Sequence, residues 1–276
     1  MSSITRYSVI IPTYNRWQLL PEAIDSVLLQ NYPAIEIIVI DDGSCDATAR
    51  MIAEKYPSVL YFYQDNQGPA SARNLGITKA SGELIAFLDS DDVWLENKIN
   101  IELSLLQRFP EADMLAGNAS AFIENKLRSE DTFAQRNILF NQQQPRFFDW
   151  SMSIMQKGPV CCTSSMTFRK STLVKLGDKP FDESLRLDED WDLEFRLFSQ
   201  FNALIYPDIV CHSRIFNDGT RHFYSAGNQA KTKNEQHQIW RQQRDIIARY
   251  LNNPRWDDDV EQGFQQRHRQ LSELLR

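Results

Sequence analysis

Tyr7-Ser8-Val9-Ile10-Ile11 is a short, mostly apolar run closed by Pro12, and it predicts a buried strand. Leu19, Leu20, Ala23, Ile24, Val27 and Leu28 then recur at helical spacing. Ile35 to Ile40 reads as a second buried strand, ending in Asp41-Asp42-Gly43-Ser44. Asp46 or Ser44 can cap a helix running through Ile52 to Tyr56. Val59 to Tyr63 predicts a third strand, Ser71 to Ala80 a helix, and Leu84 to Leu88 a fourth strand that again ends in aspartates.

This β-α alternation with nearly continuous apolar strands predicts an α/β fold: a mostly parallel central sheet covered by helices on both faces. Ligands of such sheets bind outside the carboxyl ends of the strands. Three strands end in polar or acidic residues: Pro12-Thr13-Tyr14-Asn15, Asp41-Asp42 and Asp89 to Asp92. Topology alone therefore predicts that these clusters meet in one crevice.

Beyond Asp92 the pattern loosens. A helix fits Glu96 to Phe109, and strands fit Met114 to Phe122, Val160 to Phe168 and Ala203 to Val210. Asn125 to Arg146 is polar and aperiodic and predicts a mobile loop that closes over a bound ligand. Glu189 to Phe198 predicts a helix. In the tail, Ile239, Ile246, Ile247 and Tyr250 form one helical stripe and Val260, Phe264, Leu271 and Leu274 another, separated by Pro254. These helices can pack on the body, on a second subunit as a homodimer, or on a membrane surface.

The chain has 276 residues, 42% apolar and 24% charged, with a formal net charge of −7. That acidity excludes general nucleic-acid binding, which needs a basic surface. The four cysteines contain no CxxC pair, so neither a zinc site nor a disulfide framework is expected. With no signal-like start and no long apolar run, a cytoplasmic protein is expected, and any contact with a membrane would be peripheral, at the inner face.

Three carboxylates within Asp89-Ser90-Asp91-Asp92 repel one another unless solvated, protonated or neutralised by a cation. Oxygen ligands on a short turn suit Mg2+ or Mn2+. The plain alternative is a solvated turn with Asp91 or Asp92 capping the next helix. Asp42 can accept from a base or a ribose hydroxyl, or simply cap a helix. Arg73, in the first turn of its helix, is unfavourable to the dipole unless an anion lies close, either a diphosphate or an aspartate of the protein. A second acidic cluster, Arg186-Leu187-Asp188-Glu189-Asp190-Trp191-Asp192, opens a predicted helix. No GxGxxG, GK[ST] or GxSxG motif is present.

Taken together, the pieces resemble the inverting glycosyltransferases of family 2, which have the GT-A fold. The resemblance rests on Val9-Ile10-Ile11-Pro12-Thr13-Tyr14-Asn15, Ile40-Asp41-Asp42-Gly43-Ser44, Gly68 with Ala72-Arg73-Asn74, Gly82-Glu83, Phe87-Leu88-Asp89-Ser90-Asp91-Asp92, Phe181-Asp182-Glu183 and Glu189-Asp190-Trp191-Asp192-Leu193 with Arg196. It implies a GT-A domain over residues 1–225, with a nucleotide-binding half (1–110) and an acceptor half (111–225), followed by a helical extension (226–276). It also implies donor-nucleotide contacts at Pro12, Thr13, Tyr14, Asn15, Asp42, Arg73, Asp89, Ser90 and Arg214. A divalent Mn2+ or Mg2+ falls to Asp91, with Asp89 and Asp92, and the catalytic base is Asp190. Arg214 is matched more loosely, because Cys211-His212-Ser213-Arg214 departs from the commonest spelling. The processive QxxRW motif is absent, which implies transfer of a single sugar.

The implied partners are a nucleoside-diphosphate sugar, uridine ahead of deoxythymidine or guanosine, and a carbohydrate or lipid-linked acceptor in cell-surface polysaccharide or lipopolysaccharide assembly. Rival readings are a nucleotidyltransferase, a glycoside hydrolase and a non-catalytic nucleotide-sugar-binding protein.

Overall fold

Val9, Ile10 and Ile11 are fully buried, and β1 (Tyr7–Thr13) accordingly lies inside the sheet, between β2 (Ile35–Asp42) and β4 (Leu84–Phe87). The structure, a computed structural model, describes residues 5–123, 126–148, 159–185, 187–215, 233–251 and 258–275. Arg186, Pro254 and the expected domain boundary near 225 lie outside the described residues.

The first half winds as expected. α1 (Leu20–Leu28), α2 (Thr48–Lys55) and α3 (Pro69–Lys79) connect β1, β2, β3 (Leu60–Gln64) and β4. These four strands are parallel, in the order β3-β2-β1-β4. The chain runs outward to β3 and then returns to the free edge of β1. That reversal opens a crevice at the carboxyl ends of β1 and β4. One core lies on the Ile10, Ile38 and Phe87 face of the sheet, and a second lies on the Val9, Val39 and Ala86 face. Alternate side chains of each strand feed opposite layers.

The second half is mixed. β9 (Met166–Arg169), followed directly by α6 (Lys170–Lys175), runs antiparallel between β4 and β6 (Met114–Ile123), and β6 pairs in parallel with β10 (Ala203–Ile215). β5 (Val93–Trp94), just after the acidic turn, pairs antiparallel with β10. α4 (Lys98–Arg108) follows, and its N-cap is Asn97, not an aspartate of the turn. The capping role open to Asp91 and Asp92 is therefore not used. β10 runs five residues past the strand predicted from the apolar run, with two register irregularities. The extension carries Arg214 alongside the acidic turn.

The 125–146 segment differs from the irregular loop expected of it. It holds β7 (Lys126–Ser129), paired to β6, then α5 (Thr132–Gln135), and it ends at β8 (Arg146–Phe147), paired to β10. Phe133 and Ile138 are buried in the main core. The Asn118 amide donates to Asp131 at 2.7 Å, and Asp131 caps α5 by accepting from Ala134 N at 2.8 Å. Two apolar anchors spaced too irregularly for a periodic pattern are enough to seat it.

The two tail helices, α8 (Lys233–Tyr250) and α9 (Asp258–Leu274), pack on the body. Ile246, Ile247, Phe264 and Leu271 share an apolar cluster with Trp191 and Phe195 of α7 (Glu189–Gln200). No helix among the described residues is long and apolar enough to cross a membrane.

Candidate active site

The two loops at the ends of β1 and β2 are sewn together. Asn15 N donates to Ser44 Oγ at 2.9 Å, and Cys45 N donates to Asn15 Oδ1 at 2.8 Å. Asn15 adopts a left-handed backbone (φ 51°), a conformation asparagine tolerates because its short amide bonds locally. Tyr14 is about half exposed at 49%, above the crevice. Thr13 is buried, and its Oγ1 has no protein partner.

Asp42 is buried and accepts from Gln64 Nε2 at 2.7 Å, Gln67 N at 2.9 Å and Gly68 N at 2.8 Å. It thereby holds the Gly68 turn that opens α3, where φ is +92°. A carboxylate offers about four lone-pair sites, so roughly one remains for a ligand. Asp41 turns the other way, accepting from Ser44 N and from the Tyr61 hydroxyl.

The acidic turn closes with Asp92 N donating to Asp89 O at 3.0 Å. Its members have separate jobs. Asp92 is 2% exposed and points inward: Oδ1 accepts from Arg214 N at 2.8 Å and Oδ2 from Ser164 Oγ at 2.6 Å. The thiols of Cys162 and Cys211 complete this buried cluster, and Cys162 Sγ is 3.7 Å from Asp92. Asp92, expected to share the metal with Asp91 and Asp89, is thus braced below the surface, where its carboxylate and the two thiols lie close enough together to ligate an ion. Ser90 is buried beside Asp92.

Asp91 and Asp89 remain partly accessible. Desolvation and the neighbouring Asp89 push the Asp91 carboxyl up to about 6, against Arg16 and Arg214, which favour its ionised form. A hard divalent cation relieves that repulsion and finds oxygen donors there, so the pair fits Mg2+ or Mn2+. Asp89 Oδ1 is held by Arg73 Nη2 at 2.7 Å. Arg214 spans the turn, donating to Asp91 O at 3.2 Å and to Glu22.

Arg73 is the bridge to the second acidic cluster. It is buried, its Nη1 donates to Glu189 at 2.9 Å, and its Nε has no protein partner. Of the two anions open to it, it takes carboxylates of the protein, one from each cluster. Asp190 opens α7 beside Glu189, and its Oδ1 accepts from Trp191 N at 2.8 Å. Desolvation, then Glu189, Asp188 and Glu194, raise the Asp190 carboxyl well above its ordinary value. A raised carboxylate suits proton abstraction near neutral pH.

Three participants escape sequence reading. Ser164 accepts Asp89 N at 3.0 Å and donates to Asp92, so one hydroxyl braces both ends of the turn. A cluster of small polar residues inside an otherwise apolar run was its only signal. Glu189 reads as an ordinary first-turn acid until Arg73 meets it 116 residues away. Glu194 lies on α7 itself, where it accepts Val160 N and Cys161 N at 2.5 and 2.7 Å.

A mixed sheet whose parallel half gathers acidic strand ends at its switch point, with a second acidic cluster on a facing helix, has the GT-A architecture. Residues 8–177 match the family model "Glycosyl transferase family 2", and the chain belongs to that family. An uncharacterized glycosyltransferase of Rickettsia typhi is 30% identical over 221 residues, 77% of this chain and 65% of the relative. One from Rickettsia felis is 50% identical over 105 residues, 37% of this chain and 17% of the relative. The chain thus spans less than two thirds of the length of these curated relatives. Among solved structures, S. aureus TarS in complex with UDP-GlcNAc is similar at a TM-score of 0.69 and 18% identity, over 98% of this chain and 72% of that one. The Pyrobaculum calidifontis mannosyltransferase PcManGT with GDP-Man and Mn2+ gives 0.66 and 20%, over 99% and 73%. At such identities the likeness shows the fold.

Proposed function

We propose that the chain transfers a single sugar from a nucleoside-diphosphate sugar to an acceptor hydroxyl, with inversion at the anomeric carbon. The observation that carries this reading is the pairing of two acidic clusters through Arg73, one at the sheet's switch point and one on the facing helix. The nucleotide lies over the β1 and β2 loops, where the unpartnered Thr13 hydroxyl and the remaining Asp42 acceptor site meet base and ribose, and Tyr14 covers them. Uridine is the first base to test, since UDP and UDP-GlcNAc are bound by the similar TarS structures. GDP-mannose, bound by the mannosyltransferase, is the second.

Asp91 and Asp89 would hold a divalent cation, which would supply Lewis-acid neutralisation of charge on the diphosphate. Asp190 takes the proton from the acceptor hydroxyl as its oxygen attacks, and the nucleoside diphosphate leaves from the opposite face. Arg214, held beside the turn by Asp91 O and Glu22, is the cation within the site that would meet the same diphosphate. The acceptor is a carbohydrate or lipid-linked sugar of the kind used in cell-surface polysaccharide assembly.

The test is release of nucleoside diphosphate from a panel of UDP-, GDP- and dTDP-sugars with Mn2+, with and without candidate acceptors. Asp190→Asn is expected to lose turnover by a factor on the order of a hundred or more while still binding donor. A mutant with near-normal turnover would sink the assignment. Release of pyrophosphate in place of the diphosphate would move the protein to the nucleotidyltransferases.

A further inference from the structure

The contacts of α8 converge on the turn that carries Asp190, and both lie beyond the family-matched residues 8–177. Two adjacent side-chain amides reach that turn from one side. Gln242 Nε2 donates to Leu187 O, and Gln243 Nε2 to Asp188 Oδ2 at 3.3 Å. Two more groups reach it from the other side. The Tyr250 hydroxyl donates to Asp192 Oδ1 at 3.0 Å, and Arg249 Nη1 lies 3.3 Å from the same oxygen and 2.7 Å from Asp182 Oδ2. Asp190 sits between the two anchored points.

The backbone there needs holding. Asp188 has φ 58°, the left-handed region, at the residue that caps α7. Such a conformation is strained in a non-glycine residue and persists only where its surroundings over-determine it. Beneath, Trp191 and Phe195 pack against Ile246 and Ile247, and the Tyr250 ring stacks on Phe195 with centroids 5.0 Å apart. The apolar contacts explain why α8 docks. They do not require polar groups aimed at residues 187, 188 and 192.

We propose that α8 is a positioning element for the catalytic base: Gln242 and Gln243 hold the turn before Asp190, and Tyr250 and Arg249 hold Asp192 after it. The tail thereby sets the angle at which the Asp190 carboxylate meets the attacking hydroxyl. This rests on the reading of Asp190 as the base. A misplacement of about 1 Å is enough to cost on the order of a hundredfold in rate.

The experiment compares wild type, the double variant Gln242→Leu with Gln243→Leu, and Tyr250→Phe, none of which empties the apolar interface. The readout is water-driven release of nucleoside diphosphate from the sugar nucleotide that the panel identifies, for which Asp190 is equally the base. Turnover is expected to fall on the order of ten- to a hundredfold, with donor KM and thermal midpoint close to wild type. Wild-type turnover overturns the proposal. So does a parallel loss of turnover, donor affinity and thermal midpoint, which marks a general packing role. If Asp190→Asn turns over normally, the reading of the base fails on that variant alone. Amide hydrogen exchange over residues 187–193 then still decides the brace: faster exchange in the α8 variants supports it, and unchanged exchange overturns it.

Discussion

Arg73 Nη2 lies 2.7 Å from Asp89 Oδ1, so a buried guanidinium on α3 grips the first carboxylate of the acidic turn. Its Nη1 holds Glu189 on α7, and its Cζ lies 5.3 Å from the centre of the Phe181 ring. Arg73→Met leaves two carboxylates facing each other with no counter-charge, and breaking a buried pair costs about 3–5 kcal/mol. Urea unfolding is expected to show a loss of that order. Arg73→Lys keeps the charge without the fork and is expected to fall between the two. An unchanged midpoint in Arg73→Met would remove the bridge from the account.

A second buried ion pair lies under the sheet. Lys98 Nζ is 2.6 Å from Glu102 Oε1 with both side chains fully buried, and Glu102 also accepts from Tyr7, Thr167 and Tyr206. Lys98→Met strands that carboxylate and is expected to cost about 3–5 kcal/mol. Lys98→Met with Glu102→Leu removes both charges and is expected to cost less than the single change. A double variant worse than the single would contradict this.

Gly76 is where α3 meets β1. A Cβ there would lie 2.3 Å from Ile10 Cγ2, in a side chain with no exposed surface. Gly76→Ala is expected to destabilise by about 1–3 kcal/mol through overpacking, despite alanine's better helix propensity. A more stable Gly76→Ala would show that the interface yields.

Stability is expected to fall as pH rises from about 4.5 to 8. Burial pushes the Glu194 carboxyl up to about 8, and Asp91 and Asp188 up to about 6, with Asp190 also raised. A carboxyl raised in the fold binds its proton more tightly there than in the unfolded chain. Its contribution is whole below the unfolded value and is lost as pH climbs through the folded one. Glu36, Asp46, Asp182 and Glu183 are shifted down by the hydrogen bonds they accept, and they act with the opposite sign. Their contribution disappears as pH falls below about 4. The thermal midpoint should peak near pH 5 and drop toward pH 8, and Glu194→Gln should flatten that drop. A midpoint rising steadily from pH 5 to 8 would contradict the assignment.

The parallel half of the sheet was legible because Ile37 to Ile40 and Leu84 to Leu88 leave no polar face, and an acidic residue after each run marks its carboxyl end. The second half was less so. Phe133 and Ile138 enter the core from a stretch whose polar residues mask any period. Lys98 and Glu102 look like a surface i,i+4 pair and are buried only because β9 and β10 close over them. In the candidate site, the sequence pattern brings the acidic turn and Asp42 to one edge by topology alone. It could not separate Asp91 from Asp92, since the direction of each side chain depends on Ser164 and Arg214, 72 and 122 residues away.

Asp91 is expected to make donor binding depend on a divalent metal. Calorimetric titration of UDP, and of GDP in parallel, into wild type and Asp91→Ala, each with and without Mn2+, tests it most directly. Mn2+ is expected to tighten binding of one nucleotide to wild type by on the order of tenfold or more, and Asp91→Ala to lose this gain while keeping its metal-free affinity. Equal affinities with and without Mn2+ in wild type, or an undiminished Mn2+ effect in Asp91→Ala, would contradict it.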